Sequence, residues 1–125
     1  MELKPALHWS LSELAALFNE AFTGYIGGSF HFNAETLARV ISRDNIDLNL
    51  SQIFVRDDQP VGFGLIARQG WTCRLGAMGI IPAAQGAGVG KQALAQLIEQ
   101  AQARGDRAFE LEVIEQNTRG VRLYE

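Results

Sequence analysis

The densest run of glycines in this 125-residue chain precedes a lysine in its C-terminal half. Five of the 13 glycines fall between Gly76 and Gly90. The segment Gln85–Lys91 joins a predicted strand to a predicted helix. The first N–H groups of a helix have no partner within the helix, and the helix dipole favours negative charge there. Because glycines let an anion approach these N–H groups closely, the pattern predicts an anion-binding loop.

Three other interpretations of this loop compete. A nucleotide-binding P-loop requires Gly-x-x-x-x-Gly-Lys-Ser/Thr. Gly90 and Lys91 supply the central pair, but Gln85 stands in the place of the first glycine and Gln92 in the place of the hydroxyl residue. The dinucleotide fingerprint Gly-x-Gly-x-x-Gly fails on spacing, because the glycines alternate at 86, 88 and 90. A glycine-rich turn with only a structural role is the remaining alternative.

Two motifs in the C-terminal 55 residues resemble the signatures of the GNAT family of N-acetyltransferases. The segment from Ile80 to Gly90 reads Ile-x-Pro-x-x-Gln-Gly-x-Gly-x-Gly. It is similar to the family's acetyl-CoA signature, which is Val/Ile-x-Pro, two residues, Arg or Gln, and then x-x-Gly-x-Gly/Ala. The segment from Leu111 to Glu125 places Leu-Glu-Val before Asn-x-x-Gly-x-x-Leu-Tyr-Glu. It resembles the second signature, with Gly120 in place of the usual alanine.

The resemblance implies an acetyl-CoA-dependent enzyme that transfers an acetyl group directly to a primary amine of a small molecule or peptide. In the family, the glycine loop surrounds the pyrophosphate of coenzyme A without a metal ion. Gly76 and Gly79 suit a bulge at which the preceding strand separates from the next parallel strand, and the pantetheine arm enters that cleft. The implied cofactor-binding residues are Met78, Ile80, Gln85, Gly86, Ala87, Gly88, Val89, Gly90, Lys91 and Asn117.

The same resemblance suggests the catalytic groups. Acetyl transfer to an amine needs a base for the ammonium proton and an acid for the leaving thiolate. By similarity to members that acetylate protein N-termini, Glu112 is the candidate base and Tyr124 the candidate acid. His31 is an alternative base, in an aromatic loop expected to shape the acceptor site. A packing role for Tyr124, solvent exposure of Glu112 and simple helix capping by Asn117 are the structural alternatives.

The composition of the chain narrows the classes of protein to which it can belong. Hydrophobic residues make up 47% of the chain and charged residues 20%, which is typical of a globular domain. The net charge is −3 and no basic run is present, so nucleic acid is not an expected partner. No apolar segment is long enough to span a membrane. The single cysteine, Cys73, forms no internal disulfide, no metal site is expected, and a cytoplasmic location is the default.

The residues outside the loop predict a mixed α/β single domain over residues 1–125. Ser10 and Glu13 form a capping-box pattern, and Asn33 is a candidate cap for a second helix. A long amphipathic helix follows the glycine loop and ends at Gly105. A last helix is expected from Asn117. The predicted strands are 53–55, 61–67 and 71–81 in an antiparallel meander, with a turn over 57–60, and a later strand through Phe109, Leu111 and Val113.

The resemblance makes the expected architecture more specific. It implies a mostly antiparallel central sheet with helices on both faces and a splayed strand pair that forms the acetyl-CoA cleft. Members of the family continue beyond the Leu-Tyr-Glu motif with two further strands. We therefore expect a fragment of a longer protein, a homodimer or a second domain that completes the sheet.

Overall fold

The described residues form one five-stranded sheet with helices on both faces. The computed structural model describes residues 1–22, 32–86 and 88–111. The strands lie in the order β1-β2-β3-β4-β5, antiparallel except for the parallel pair β4 and β5. The elements are β1 (Glu2–Pro5), α1 (Leu11–Ala21), α2 (Ala34–Arg43), β2 (Gln52–Arg56), β3 (Gln59–Gln69), β4 (Thr72–Ile80), α3 (Val89–Arg104) and β5 (Ala108–Leu111). This arrangement confirms the predicted mixed α/β class.

The predicted helix caps are present. The Ser10 hydroxyl accepts a hydrogen bond from the Glu13 N–H at 3.1 Å, and the Glu13 carboxylate accepts one from the Ser10 N–H at 2.9 Å. Asn33 caps α2 by accepting from the Thr36 N–H at 2.8 Å. These bonds satisfy N–H groups that have no partner inside the helices. The starts of α1 and α2 are therefore fixed by local sequence.

Two details differ from the sequence-based expectation. Strand β1 was not predicted, and it forms the edge of the sheet by pairing with β2. The turn expected over 57–60 is tighter, because Gln59 and Pro60 already belong to β3. Asp57 and Asp58 alone make the connection, with φ of 52° and 63°. Two consecutive residues of positive φ are typical of a two-residue hairpin whose twist matches the flanking strands.

Strand β4 carries the bulge that the resemblance implied. Leu65 and Ile66 of β3 are consecutive, but they pair with Ala77 and Leu75 of β4, so Gly76 is the extra residue. The described pairing of β4 with β5 runs from Thr72 to Leu75 and ends just before this bulge. The bulge therefore lies between the part of β4 that pairs with the described part of β5 and the part that leads into the glycine loop.

Each face of the sheet has its own hydrophobic core. Helices α1 and α2 cover one face, where Leu14, Phe18 and Leu37 are buried with strand residues such as Phe63. Helix α3 covers the other face, where its residues pack on β4 and β3; the buried α3 residues are Val89, Ala93, Leu94, Leu97 and Ala101. Burial of large apolar side chains supplies the main driving force for such a layered arrangement.

An ion-pair cluster fixes the end of α3 against the sheet. Gly105 ends the helix with φ of 88°, as predicted. The next residue, Asp106, accepts from Arg68 Nε at 2.7 Å and from Arg104 Nη2 at 2.9 Å, and its side chain is 1% exposed. Burial alone would raise the pKa of Asp106, but the two arginine hydrogen bonds outweigh burial and hold it below its ordinary value. The cluster joins β3, α3 and the segment that leads to β5.

Candidate active site

The glycine loop ends in an open, uncapped helix start. Gly88 is the N-cap of α3, with φ of 77° and no side-chain cap, and Gly86 has φ of 85°. At both positions an added Cβ would meet no atom within 4 Å. The backbone there is accessible from outside, and positive φ explains why glycine suits both positions. The first N–H groups of α3 therefore receive no partner from an N-cap side chain, as an anion-binding loop requires.

The main-chain groups of Met78 and Ile80 point away from β3. The Ile81 N–H donates to the Val61 carbonyl at 2.9 Å, so Ile81 faces β3. In an antiparallel ladder, successive residues alternate between facing the partner strand and facing the opposite edge. Met78 and Ile80 lie three residues and one residue before Ile81, so their N–H and C=O groups face the other edge of β4. This orientation agrees with the predicted role of both residues.

The start of α3 lies beside this part of β4. A methyl group placed on Gly90, in the first turn of α3, would lie 3.8 Å from Met78 Cε and 4.0 Å from Ile80 Cγ1. The Met78 and Ile80 side chains are half-buried and pack against the core beneath α3. Their side chains therefore belong to the core, while their main chain faces the edge. An elongated ligand with an anionic group and amide groups would fit this combination.

Gln85 makes a contact that the sequence did not indicate. Its side-chain Nε2 donates to the Ile80 carbonyl at 3.0 Å. The segment 82–84 forms a 3₁₀ turn, in which the Ala84 N–H donates to the Ile81 carbonyl at 2.9 Å. This turn folds the chain back so that the Gln85 side chain reaches the end of β4. The sequence signature identifies Gln85 but contains nothing about the partner of its side chain.

The structure locates part of the predicted site. Val89, the first residue of α3, is buried, and Lys91 is exposed. Five predicted site residues lie outside the described part of the chain: Ala87, Glu112, Asn117, Tyr124 and the alternative base His31. The roles of all the predicted site residues, described or not, remain predictions. Glu110, two residues before Glu112 in the sequence, is exposed.

The face of β4 opposite α3 is apolar near the site. Phe18 stacks on Phe63 with ring centroids 3.9 Å apart, and Phe22 and Phe32 each contact Phe18 edge-on. The Phe63 ring covers Gly79, where an added Cβ would lie 2.8 Å from Phe63 Cε1. Any larger residue at position 79 would therefore displace this ring.

The Asn19 side chain links α1 to the segment before α2. Its Nδ2 donates to the Phe32 carbonyl at 2.8 Å, and its Oδ1 accepts from the Phe32 N–H at 2.7 Å. This pair of hydrogen bonds fixes Phe32 against α1, on the aromatic side of the sheet.

A polar cavity of about 310 Å³ lies on the face of the sheet opposite α3, toward the start of β4. Its lining includes Arg74, Glu110 and Asp44, and Arg74 Nη2 donates to the Asp44 carbonyl at 3.1 Å. The hydrogen bond from Arg43 lowers the pKa of Asp44.

On the other face of the sheet, burial raises the pKa of the Cys73 thiol, whose Sγ lies 3.6 Å from Arg104 Nη2. A raised pKa disfavours the reactive thiolate, which agrees with a structural Cys73.

The model of the acetyltransferase (GNAT) family matches residues 11–125. This chain belongs to the GNAT acetyltransferase family. The match includes α1, the whole sheet except β1, the glycine loop and α3, so the GNAT assignment and the observed architecture agree. No curated protein matches the sequence.

Solved GNAT structures share the fold over nearly the whole chain. The ribosomal-protein-S18-alanine N-acetyltransferase of Escherichia coli aligns with a TM-score of 0.75 and 20% identity, covering 98% of this chain and 73% of its own. PaiA N-acetyltransferase of Thermoplasma acidophilum, in complex with coenzyme A, gives 0.73 and 19%, covering 98% and 85%. Ribosomal-protein-alanine N-acetyltransferase of Brucella melitensis gives 0.70 and 22%, covering 99% and 81%. None of the described helices is long and apolar enough to cross a membrane.

Proposed function

We propose that this GNAT protein is an acetyl-CoA-dependent N-acetyltransferase that transfers an acetyl group directly to a primary amine of a small molecule or peptide. One observation carries the proposal: the uncapped start of α3 lies beside the edge of β4 that presents the Met78 and Ile80 main chain. The first feature suits a phosphate group, and the second suits a chain of amide groups. Coenzyme A contains both, and a solved relative holds coenzyme A.

The described residues fit this cofactor. Side chains at 86 and 88 would occupy the space in front of the loop, and glycine leaves that space open. The main chain of Gln85, Gly86 and Gly88–Lys91 would hold the pyrophosphate, with Ala87 between them. The main chain of Met78 and Ile80 would hold the pantetheine arm, with Asn117 as a further contact. The bound cofactor supplies an acyl thioester.

The chain's own groups would then handle charge and protons. An N–H at the Met78–Ile80 edge would donate to the acyl oxygen, where negative charge develops as the amine attacks. Glu112 would accept the proton that the ammonium must lose, and Tyr124 would donate one to the departing sulfur. The apolar face formed with Phe22 and Phe32 would exclude water from the acceptor side.

Release of free thiol tests this function. The protein is incubated with acetyl-CoA and a panel of amines that includes amino acids, polyamines and peptides with free N-termini. We expect amine-dependent thiol release, with mass-spectrometric detection of the acetylated amine. Binding of coenzyme A without release for any amine would instead support a non-catalytic acyl-CoA-binding module. Absence of both binding and release would contradict the proposal.

A further inference from the structure

The carbonyl of Ile80 has an unusual partner for a strand residue. It lies at the edge of β4 that faces away from β3, where a neighbouring strand would normally supply the donor. Here the donor is the side chain of Gln85, with Nε2 at 3.0 Å. The described β4–β5 pairing ends at Leu75, five residues earlier.

Gln85 thereby connects the two halves of the proposed cofactor site. Its own backbone begins the glycine loop, directly before Gly86. Its side chain is hydrogen-bonded to the Ile80 carbonyl at the end of β4. There, the main-chain groups of Met78 and Ile80 face the edge of the strand that lies away from β3. The 3₁₀ turn at 82–84 brings these two points together, and the Gln85 N–H donates to the Pro82 carbonyl at 3.2 Å. One residue therefore belongs to the loop and is hydrogen-bonded to the strand edge.

We propose that Gln85 is a positioning residue whose side chain fixes the Ile80 carbonyl and holds the edge of β4 in register with the glycine loop. The inference rests on the proposed function, because register matters only for a ligand that spans both parts. A ligand confined to the loop does not depend on this register. A ligand that reaches from the loop along the strand edge does depend on this register. If the hydrogen bond between Gln85 and the Ile80 carbonyl were lost, the loop and the strand edge could shift relative to each other.

Two ligands separate these cases. Coenzyme A spans the loop and the edge, whereas 3′-phosphoadenosine 5′-diphosphate carries the same pyrophosphate and lacks pantetheine. Gln85→Met removes the donor and keeps the length of the side chain. Gln85→Arg restores N–H donors. Gln92→Met makes the same change at an exposed position in the first turn of α3 and serves as the matched control.

The experiment measures the dissociation constants of both ligands by calorimetry for wild type and the three variants. We expect Gln85→Met to weaken coenzyme A binding by roughly 3–10-fold, the equivalent of one hydrogen bond, and to change the binding of the shorter ligand by less than about twofold. Gln85→Arg should bind coenzyme A like wild type, as should Gln92→Met. Equal weakening of both ligands, or no effect of Gln85→Met, would overturn the positioning role. Failure of the wild-type protein to bind either ligand would instead contradict the proposed function.

Discussion

Gly88 and Gly70 have the same kind of backbone conformation at different places in the molecule. Their φ angles are 77° and 60°, and an added Cβ meets nothing within 4 Å at either position. Gly88 begins α3, whereas Gly70 lies in the turn between β3 and β4. A valine at either position is strained by the positive φ, at a cost of roughly 1–2 kcal/mol. Only at Gly88 would the side chain also stand in front of the N–H groups that we propose bind the pyrophosphate.

We therefore expect Gly88→Val to abolish measurable coenzyme A binding and Gly70→Val to leave it unchanged. Both variants should lose similar stability in urea unfolding, because the backbone strain is similar. Calorimetric titration of coenzyme A into each folded variant makes the comparison. Wild-type affinity in Gly88→Val would place the phosphates elsewhere.

The proposed acid and base are tested by variants that keep the shape of the side chain. Tyr124→Phe deletes only the hydroxyl, so the turnover rate should fall by roughly 10²–10⁴-fold while acetyl-CoA affinity barely changes. Glu112→Gln should lower activity near neutral pH and recover it as pH approaches the pKa of the amine. A pH–rate profile of wild type and both variants is the measurement. Glu110→Gln is the matched control, and a Tyr124→Phe enzyme with wild-type turnover would remove the acid assignment.

Much of the proposed cofactor-binding region was predictable from local sequence, because glycine content and helix starts are local properties. The positions of Gly86, Gly88 and Lys91 relative to α3 follow from the motif. The Gln85–Ile80 contact did not follow from the motif. A glutamine amide can donate to many acceptors, and the 3₁₀ turn brings it to the Ile80 carbonyl. The orientation of the Ile80 main chain also needs the pairing of β3 with β4, which is a tertiary property.

At the level of elements, predictability followed the strength of local signals. Helices α1 and α2 start where Ser10 and Asn33 provide caps. Strand β1 has only four residues and ends at Pro5, so its sequence carries no clear strand pattern, and pairing with β2 creates it. A turn was predicted over 57–60, but its two-residue length was not, because neither Asp57 nor Asp58 is glycine or asparagine, the residues most typical of such short turns.

The ion-pair cluster at the end of α3 should contribute far more stability than an exposed pair. Asp106→Asn leaves two arginines without their buried carboxylate, so we expect a loss of about 1–3 kcal/mol. Asp44→Asn disrupts the exposed pair with Arg43 and should cost about 0–1 kcal/mol. Urea unfolding at pH 7 compares the two variants. Equal losses would mean that the Asp106 cluster contributes no more than a surface pair.

The lowered pKa of Asp106 also predicts a pH dependence. A carboxyl whose pKa is lower in the folded state than in the unfolded state stabilises the fold at pH values above its unfolded pKa. This contribution is lost as pH falls below the ordinary aspartate value of about 3.9 and through the folded pKa. The wild type should therefore lose its stability advantage over Asp106→Asn on acidification below about pH 4. Unfolding curves from pH 3 to 7 test this, and a difference that stays constant would contradict it.

At the scale of the whole molecule, the proposed ligand site lies at the junction of the two hydrophobic cores. Helix α3 and its core approach the β4 edge from one side, and the aromatic cluster of Phe18, Phe22, Phe32 and Phe63 lies on the other. A ligand held by both the loop and the edge would stabilise the native state as a whole. Because such a ligand binds only the folded protein, it raises the apparent stability by about 2.7 kcal/mol at 100 times its dissociation constant.

A thermal-shift series makes this prediction measurable. Coenzyme A and acetyl-CoA should raise the midpoint of unfolding by several degrees. ATP with magnesium should not, because Gln85 and Gln92 replace two fixed residues of a P-loop. A shift that requires ATP and magnesium would favour a nucleotide-binding protein over an acetyltransferase.

The bulge at Gly76 changes which residues of β4, odd-numbered or even-numbered, face α3. Before it, the odd-numbered residues Cys73 and Leu75 pack beneath α3; after it, the even-numbered Met78 and Ile80 do. One further residue inserted after Gly76 would shift the alternation again and turn Met78 and Ile80 toward the aromatic face. The chain should therefore tolerate a change of length at the tip around Gly70 far better than at Gly76. In this strand, the count of residues is as much a part of the site as their identity.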